Sequence, residues 1–261
     1  MLPTLQGRWT RDWIRVPPAP PDASTTVTWL QAARLYCDLR VPPGRPAFDG
    51  CTCLADCGER DLDWLASQEA FAGHLETAAD LCVWHRHVDF RPPGPLPDAG
   101  VLRDVGDCVL ETGVFAAYEE CWRCTPTPGP AFAAKLFVRG GLRPVRHGVL
   151  VVLGAWFAFG LERDLAPQEA PGLFAAAFDD GSRAARLRVL DCEISLGARA
   201  GGAVPWEVQH STLPYLEGRA LFASPGARTG LIPPTPDRAS LRNARCDWRV
   251  DQASPDFTWY S

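Results

Sequence analysis

The residues best suited to chemistry lie on one predicted strand, Leu81–Phe90. His85, His87 and Asp89 alternate along this run and would point to the same face. Such a face could ligate zinc, and His85 with Asp89 could form a general base and its orienting carboxylate. Because the spacing alone is weak evidence for either chemistry, we favour a polar outer strand face and predict no metal site.

The opposite face of this run is apolar apart from one arginine. It comprises Cys82, Trp84, Arg86, Val88 and Phe90. An apolar strand face packs inward, and a buried guanidinium needs a carboxylate or an aromatic ring beside it. We therefore expect Arg86 to contact Glu111, Glu120 or a tryptophan. A register slip of one residue would instead turn the histidine face inward.

A second run, from Leu110 to Trp122, adds further groups that can transfer protons. Together with the first run it gives a candidate catalytic set of His85, Asp89, Glu111, Tyr118 and Glu120. The sequence contains no Gly-x-Ser-x-Gly nucleophile motif and no phosphate-binding loop. Their absence counts against the enzyme hypothesis, which is a cofactor-independent lyase, isomerase or hydrolase acting on a small apolar substrate. We predict no cofactor.

Composition excludes several classes of partner. The chain has 261 residues, 46% hydrophobic, and a formal net charge of −5, with its basic residues scattered singly. These features favour a folded core and argue against nucleic-acid and membrane partners. No secretory signal and no long apolar run is present, so we expect a cytoplasmic protein whose ten cysteines are free thiols. Whether Cys51, Cys53 and Cys57 bind a metal stays open.

The predicted elements are almost all strands. Alternating runs separated by Pro/Gly-rich turns recur about twelve times along the chain, which predicts an all-β fold. Thr25–Val41 reads as one long strand with a bend, and residues 184–196 read as a further strand. One short helix is predicted near residues 62–72.

The division of the chain is predicted near residues 140–146, where Gly140 and Gly141 mark a turn. The chain would divide into residues 1–142, which include the helix, and residues 143–261, with the strands forming a sandwich or a barrel. The alternative is one larger continuous barrel in which residues 143–163 pair directly with the first half. The oligomeric state is unknown.

A family resemblance supports this division. Gly7-x-Trp9 on an early strand is similar to the calycin superfamily, which includes the lipocalins. The longer set LYCDLRVP, LASQEAFAGH, VWHRHVDF, LETGVFAAYEECW and STLPYLEG resembles bacterial relatives of the fungal Hri-type proteins. The resemblance implies two antiparallel lipocalin-like barrels in tandem, with Trp9 and Arg86 as a possible pair closing one floor. It implies no catalytic residues.

The function favoured by this reading is small-molecule binding. A barrel of about eight strands leaves room for one small ligand. We expect a mostly apolar, aromatic-lined cavity with a few polar groups that holds a small apolar or aromatic molecule. The candidate ligand-binding residues are Trp29, Gln68, Trp84, Arg86, Glu111, Tyr118, Glu120 and Trp122. The alternatives are the acid/base enzyme described above and, last, an interaction protein that docks through its Pro-rich loops.

Overall fold

The computed structural model describes residues 5–92, 94–140, 145–165, 170–179, 181–200, 204–222 and 232–259. Within these ranges the chain forms fourteen strands and three short α-helices. The predicted all-β class is therefore confirmed. None of the helices in the described part of the chain is long and apolar enough to cross a membrane.

The first eight strands form a closed antiparallel barrel. Each strand pairs with the next in sequence, and the eighth closes the barrel by pairing with the first. Their bounds are β1 Gly7–Arg15, β2 Thr26–Gln31, β3 Leu35–Val41, β4 Glu69–Ala78, β5 Leu81–Asp89, β6 Ala99–Asp104, β7 Val109–Gly113 and β8 Glu119–Thr125. In such a meander, the β1–β2, β3–β4, β5–β6 and β7–β8 connections all lie at one end of the barrel.

The stretch predicted as one bent strand, Thr25–Val41, is a hairpin of β2 and β3. Ala32 donates its backbone N–H to the Leu35 carbonyl across a tight connection that contains no glycine or proline. The hairpin also changes which residues face inward. Trp29 of β2 pairs with Asp38 of β3, so both point into the barrel. Leu39, expected on the same face as Trp29, points outward.

A β-bulge at His87 reverses the faces of β5. Arg86 pairs with Gly73 while Val88 pairs with Ala72, so His87 is the extra residue. Arg86 lies inside the barrel as predicted. Beyond the bulge, however, Asp89 points inward beside Arg86, whereas Val88 and Phe90 pack outside the barrel. The strict alternation expected for this strand is therefore wrong after His87.

The helix predicted near residues 62–72 is displaced. Helix α1 spans Glu59–Ala66, and the Asp61 carboxylate accepts the Gly58 backbone N–H at its start. Strand β4 then begins at Glu69. The alternating apolar residues of β4 resembled the continuation of a helical stripe because both its faces are buried.

The second half of the described chain is a six-stranded antiparallel sheet rather than the closed second barrel expected. Its strands are β9 Ala131–Arg139, β10 Arg146–Leu153, β11 Trp156–Leu161, β12 Glu193–Ala198, β13 Glu207–Ser211 and β14 Arg245–Ala253. The order is β13-β12-β11-β10-β9-β14, so β13 and β14 are edges. Strand β9 belongs to this sheet, although the predicted division placed it in the first barrel. The larger continuous barrel is not seen either.

Two further helices lie between β11 and β12 in the sequence. Helix α2 spans Ala170–Asp179 and helix α3 spans Arg183–Leu190. The Ser182 hydroxyl accepts the Ala185 backbone N–H and caps α3. Residues 184–196 were predicted as one strand, because apolar residues recur two apart; the first part is α3, and the strand begins only at Glu193.

The barrel and the second sheet share one apolar core. Outward side chains of β3, β4 and β5 pack against the sheet strands β10, β11 and β12. We call this the joint core; from the barrel it includes Leu35, Cys37, Leu39, Ala70, Ala72, Val88 and Phe90. The inward faces of the same strands form a separate cluster inside the barrel.

Candidate functional site

The barrel encloses a cavity of about 150 Å³. Half of the side chains that line it are aromatic or aliphatic and half are ionisable. They are Ile14, Trp29, Tyr36, Asp38, Arg40, Glu69, Phe71, Trp84, Arg86, Asp98, Glu111, Tyr118, Glu120 and Trp122. The wall is therefore more polar than the mostly apolar lining expected from the sequence.

Tryptophans form the apolar side of the cavity. The ring of Trp29 lies 6.0 Å from that of Trp84 and 5.6 Å from that of Trp122, both edge to face. Trp9 stacks on Trp29 at 5.4 Å and donates its indole N–H to the Leu5 carbonyl. This packing fixes the rings and leaves their remaining surface for a ligand. Trp9 does not pair with Arg86.

Arg86 lies in the polar wall, among carboxylates that the sequence did not predict. Its Nη2 is 2.6 Å from Asp98 Oδ2, and its Nη1 is 3.1 Å from Asp89 Oδ2. The guanidinium also lies 3.6 Å from the centre of the Phe71 ring. The expected partners Glu111, Glu120 and a tryptophan ring are thus replaced by Asp98, Asp89 and Phe71. The sequence predicted that the charge of Arg86 would be compensated, but it did not predict which residues would do so.

A second ion-pair network lies on the other side of the cavity wall. Arg40 Nε is 2.9 Å from Asp38 Oδ1, and its Nη1 is 3.4 Å from Glu120 Oε1. Arg11 forms a further ion pair with Glu120. Burial raises the pKa of Asp38 to about 6 although Arg40 opposes the shift. Glu69 lies between the two networks and contacts both Arg40 and Arg86.

Glu111 differs from the other carboxyls because its hydrogen-bond donors are neutral. It accepts the Tyr118 hydroxyl at 2.7 Å and the Trp122 indole N–H at 2.9 Å. Among the described residues, no arginine or lysine forms an ion pair with it. Burial, reinforced by Glu120 on the paired strand, raises the pKa of Glu111 to about 8.

Two glycines make room for this arrangement. A Cβ at Gly100 would lie 2.8 Å from the Glu111 side chain, and one at Gly113 would lie 2.4 Å from the Tyr118 ring. Gly100 and Gly113 pair across β6 and β7. Their missing side chains allow Glu111 and Tyr118 to lie against the barrel wall.

Two buried polar atoms at this site have no hydrogen-bond partner among the described residues. They are the Tyr36 hydroxyl oxygen and Asp89 Oδ1. Tyr36 is fully buried and lines the cavity. A buried polar atom without a partner is costly, so both atoms lower the stability of the barrel interior.

The cavity continues toward solvent. A groove of about 380 Å³ shares Glu69, Arg86, Asp98 and Tyr118 with the inner cavity. Its outer rim carries the exposed apolar side chains of Leu96 and Phe115. These residues belong to the β5–β6 and β7–β8 connections, at the same end of the barrel. The inner cavity therefore has an entrance with an apolar rim.

Seven of the eight residues predicted for ligand binding line this cavity. Gln68 is the exception: it is buried and donates to the carbonyls of Leu65 and Thr212 in the joint core. The sequence missed Ile14, Tyr36, Asp38, Arg40, Glu69, Phe71 and Asp98. Asp38 and Arg40 lie on the same face of β3 as Tyr36, because the three residues are two positions apart. All three could have been predicted as lining residues if the hairpin before them had been recognised.

The predicted catalytic set divides between two faces of the barrel. Glu111, Tyr118 and Glu120 line the cavity, and Asp89 reaches it through Arg86. His85 lies outside and bonds Glu76 at 3.0 Å. His85 and Asp89 therefore do not form the predicted base and orienting carboxylate, because the bulge at His87 separates their faces.

His74 and His87 lie at the junction of barrel and sheet. His74 Nδ1 is 2.8 Å from His87 Nε2, which also lies 3.3 Å from Lys135 Nζ on β9. Burial and then Lys135 lower the pKa of His87 to about 4. In the described part of the chain, no group of three or more possible ligands could hold a metal ion. The cysteines there are free thiols.

Comparison with known proteins identifies a similar fold but no activity. No protein-family model matches the chain, and no curated protein matches it. A similar solved structure is the crystal structure of the uncharacterized protein YLR301w from Saccharomyces cerevisiae. It is 12% identical, with a TM-score of 0.57, over 95% of this chain and 98% of that chain. The two proteins thus share a fold across nearly their whole lengths.

Proposed function

We propose that the N-terminal barrel binds one small molecule in its cavity. The observation that carries this proposal is the cavity lining, in which the rings of Trp29, Trp84 and Trp122 converge with carboxyl and guanidinium groups. A cavity that existed only because packing is imperfect would be lined by apolar groups and remain dry. This one combines a fixed aromatic surface with converging polar groups, as ligand sites do.

The size of the cavity limits the ligand. An apolar cavity of about 150 Å³ accommodates benzene in an engineered protein, so this one suits a single ring or its equivalent. A longer substituent would extend past Arg86 and Tyr118 into the entrance groove. The ligand we propose is therefore a one-ring molecule with at least one polar group.

We further infer that the barrel is calycin-like. Eight antiparallel strands follow in sequence order around a cavity, with Gly7 and Trp9 on the first strand. In this arrangement a rigid scaffold surrounds a ligand whose identity depends on the inward side chains. The proposal concerns architecture and does not supply a ligand.

Acid/base catalysis is the second candidate. Glu111 and Glu120 are directly paired across β7 and β8, yet only Glu120 has arginine partners. Burial raises the pKa of Glu111 to about 8, which suits a general acid, and the second carboxyl beside it has different partners, as acid/base sites require. A bound ligand that is recovered chemically changed would favour this candidate over simple binding.

Binding can be tested by titrating the purified protein with one-ring aromatic compounds of different charge and following tryptophan fluorescence. Trp29, Trp84 and Trp122 should respond because they line the cavity. The variant Ile14→Phe, which adds volume to the cavity wall, should weaken binding. Failure of every charge class to bind the wild-type protein would contradict the proposal.

A further inference from the structure

We propose that the cavity selects a small organic cation, an aromatic or alkyl amine, and that Glu111 provides its counter-charge. This inference rests on the proposed binding function and specifies the ligand class for the same site. It is motivated by the excess of carboxyls over arginines around the cavity and by the neutral hydrogen-bond donors of Glu111.

Carboxyls outnumber arginines around the cavity by six to three. The carboxyls are Asp38, Glu69, Asp89, Asp98, Glu111 and Glu120, and the arginines are Arg11, Arg40 and Arg86. Each arginine already contacts at least one carboxylate, and Arg40 and Arg86 each contact three. An anionic ligand would therefore meet arginines whose charge is already compensated by carboxylates.

Glu111 is where the missing positive charge fits best. Tyr118 and Trp122 donate hydrogen bonds to its two oxygens but bring no charge. The charged groups that face it are Glu120, Arg40 and Asp98. Glu120 has the largest electrostatic effect of the three, and its charge has the same sign as that of an ionised Glu111. An ammonium group beside Glu111 would compensate both carboxyls and form charge-assisted hydrogen bonds.

The remaining walls suit a cation as well. Three tryptophans and two tyrosines contribute to the lining, so aromatic surface adjoins the carboxyls. The tryptophan faces attract a cation through their ring quadrupoles, and the interaction strengthens when water is excluded. Phe71 already holds the Arg86 guanidinium in this way at 3.6 Å.

The experiment compares benzylamine, benzyl alcohol and benzoate, which have similar size and different charge. At pH 8 we expect benzylamine to bind at least about tenfold more tightly than benzyl alcohol, and benzoate to bind most weakly. Glu111→Gln should remove this preference by weakening benzylamine about tenfold while leaving benzyl alcohol nearly unchanged. Glu76→Gln, on the exposed outer face, is the matched control and should change neither affinity.

The pH dependence gives a second readout. In the free protein Glu111 is protonated below about pH 8, so pairing with an ammonium group must release its proton. Benzylamine affinity should therefore rise between pH 6.5 and 8 in the wild type and rise less in Glu111→Gln, where Asp89, with a pKa raised to about 7, still titrates. Calorimetry in buffers of different ionisation enthalpy measures the released proton directly.

The possible outcomes separate this inference from the function it rests on. Binding of benzyl alcohol or benzoate as tight as that of benzylamine would overturn the cation inference and leave the binding function standing. Failure of all three ligands would contradict both. The wild-type comparison decides the matter even if Glu111→Gln does not fold.

Discussion

The two faces of strand β3 have opposite chemistry. Leu35, Cys37 and Leu39 point outward into the joint core and are fully buried among apolar side chains. Between them, Tyr36 and Asp38 point into the barrel, where burial raises the pKa of the Asp38 carboxyl to about 6. One strand thus contributes to a core that stabilises the fold and to a cavity whose polar groups are costly to bury.

The two faces therefore separate the residues that stabilise the fold from the residues that line the cavity. The joint core contains apolar groups from both halves of the chain, so its burial contributes to folding without regard to a ligand. The cavity instead holds carboxyls whose ionisation opposes folding and a tyrosine hydroxyl without a partner among the described residues. Such costs persist where a function requires them.

The largest expected effect comes from removing the Arg86 guanidinium. Arg86→Met would leave Asp89 and Asp98 without their ion-pair partner inside the barrel. We expect the free energy of unfolding to fall by about 3–5 kcal/mol, as when a buried ion pair loses one member. Denaturant unfolding at pH 8 measures this loss.

Arg15→Met is the matched control for Arg86→Met. Arg15 pairs with Glu119 at the surface, where its side chain is 46% exposed, so its loss should cost no more than about 1 kcal/mol. Equal losses for the two arginines would show that the barrel interior does not bury the Arg86 network.

The next effect comes from the joint core. Leu39→Ala would leave a void among packed apolar side chains and should lower the free energy of unfolding by about 2–5 kcal/mol. Because Leu39 points away from the cavity, ligand affinity under native conditions should stay unchanged. A tenfold loss of affinity would contradict the separation of the two faces.

A smaller effect is expected from pH. Burial raises the pKa of Glu111 from 4.5 to about 8 and that of Asp89 from 3.8 to about 7. The native state therefore holds more protons than the unfolded state in this range, and stability falls as pH rises. His87, whose pKa is lowered to about 4, has the opposite effect, but only below its ordinary pKa of 6.5.

The informative window is thus pH 6.5 to 8. We expect Glu111 to lower the free energy of unfolding by up to about 2 kcal/mol across it, the effect of one proton. Glu111→Gln should remove this contribution. An identical pH slope in the variant and the wild type would show that Glu111 is ionised throughout and would contradict its assigned surroundings.

The smallest effect is expected far from the cavity. Ser182→Ala removes the hydroxyl that caps helix α3 and should cost about 1 kcal/mol. Ser182→Asp, which keeps a capping oxygen, should retain most of the stability. Neither variant should alter ligand affinity, and a change in affinity would show that α3 influences the barrel.

The sequence predicted the strands of the barrel better than their faces. Alternation located Trp84 and Arg86 inside, because both lie on a run with one clearly apolar side. The inward direction of Asp89 could not be predicted, because a bulge at His87 depends on pairing with Gly73 rather than on local pattern. A one-residue change in pairing reverses every later side chain.

Long-range partners were the other limit. Asp98 reaches Arg86 from the segment before β6, and no local spacing links the two positions. Likewise Gly100 and Gly113 leave space for Glu111 and Tyr118, and no local spacing indicates that role. The second sheet was read as a barrel because edge strands carry the same alternation as paired ones.

The most direct test of the central claim, that the barrel cavity is the binding site, follows indole N–H signals by NMR during a benzylamine titration. The Trp122 indole donates to Glu111, so its signal should shift most, followed by those of Trp29 and Trp84. The indole of Trp206 in the second half donates to the Trp259 carbonyl and should stay in place. Saturable binding that shifts Trp206 and leaves Trp122 unchanged would contradict the account.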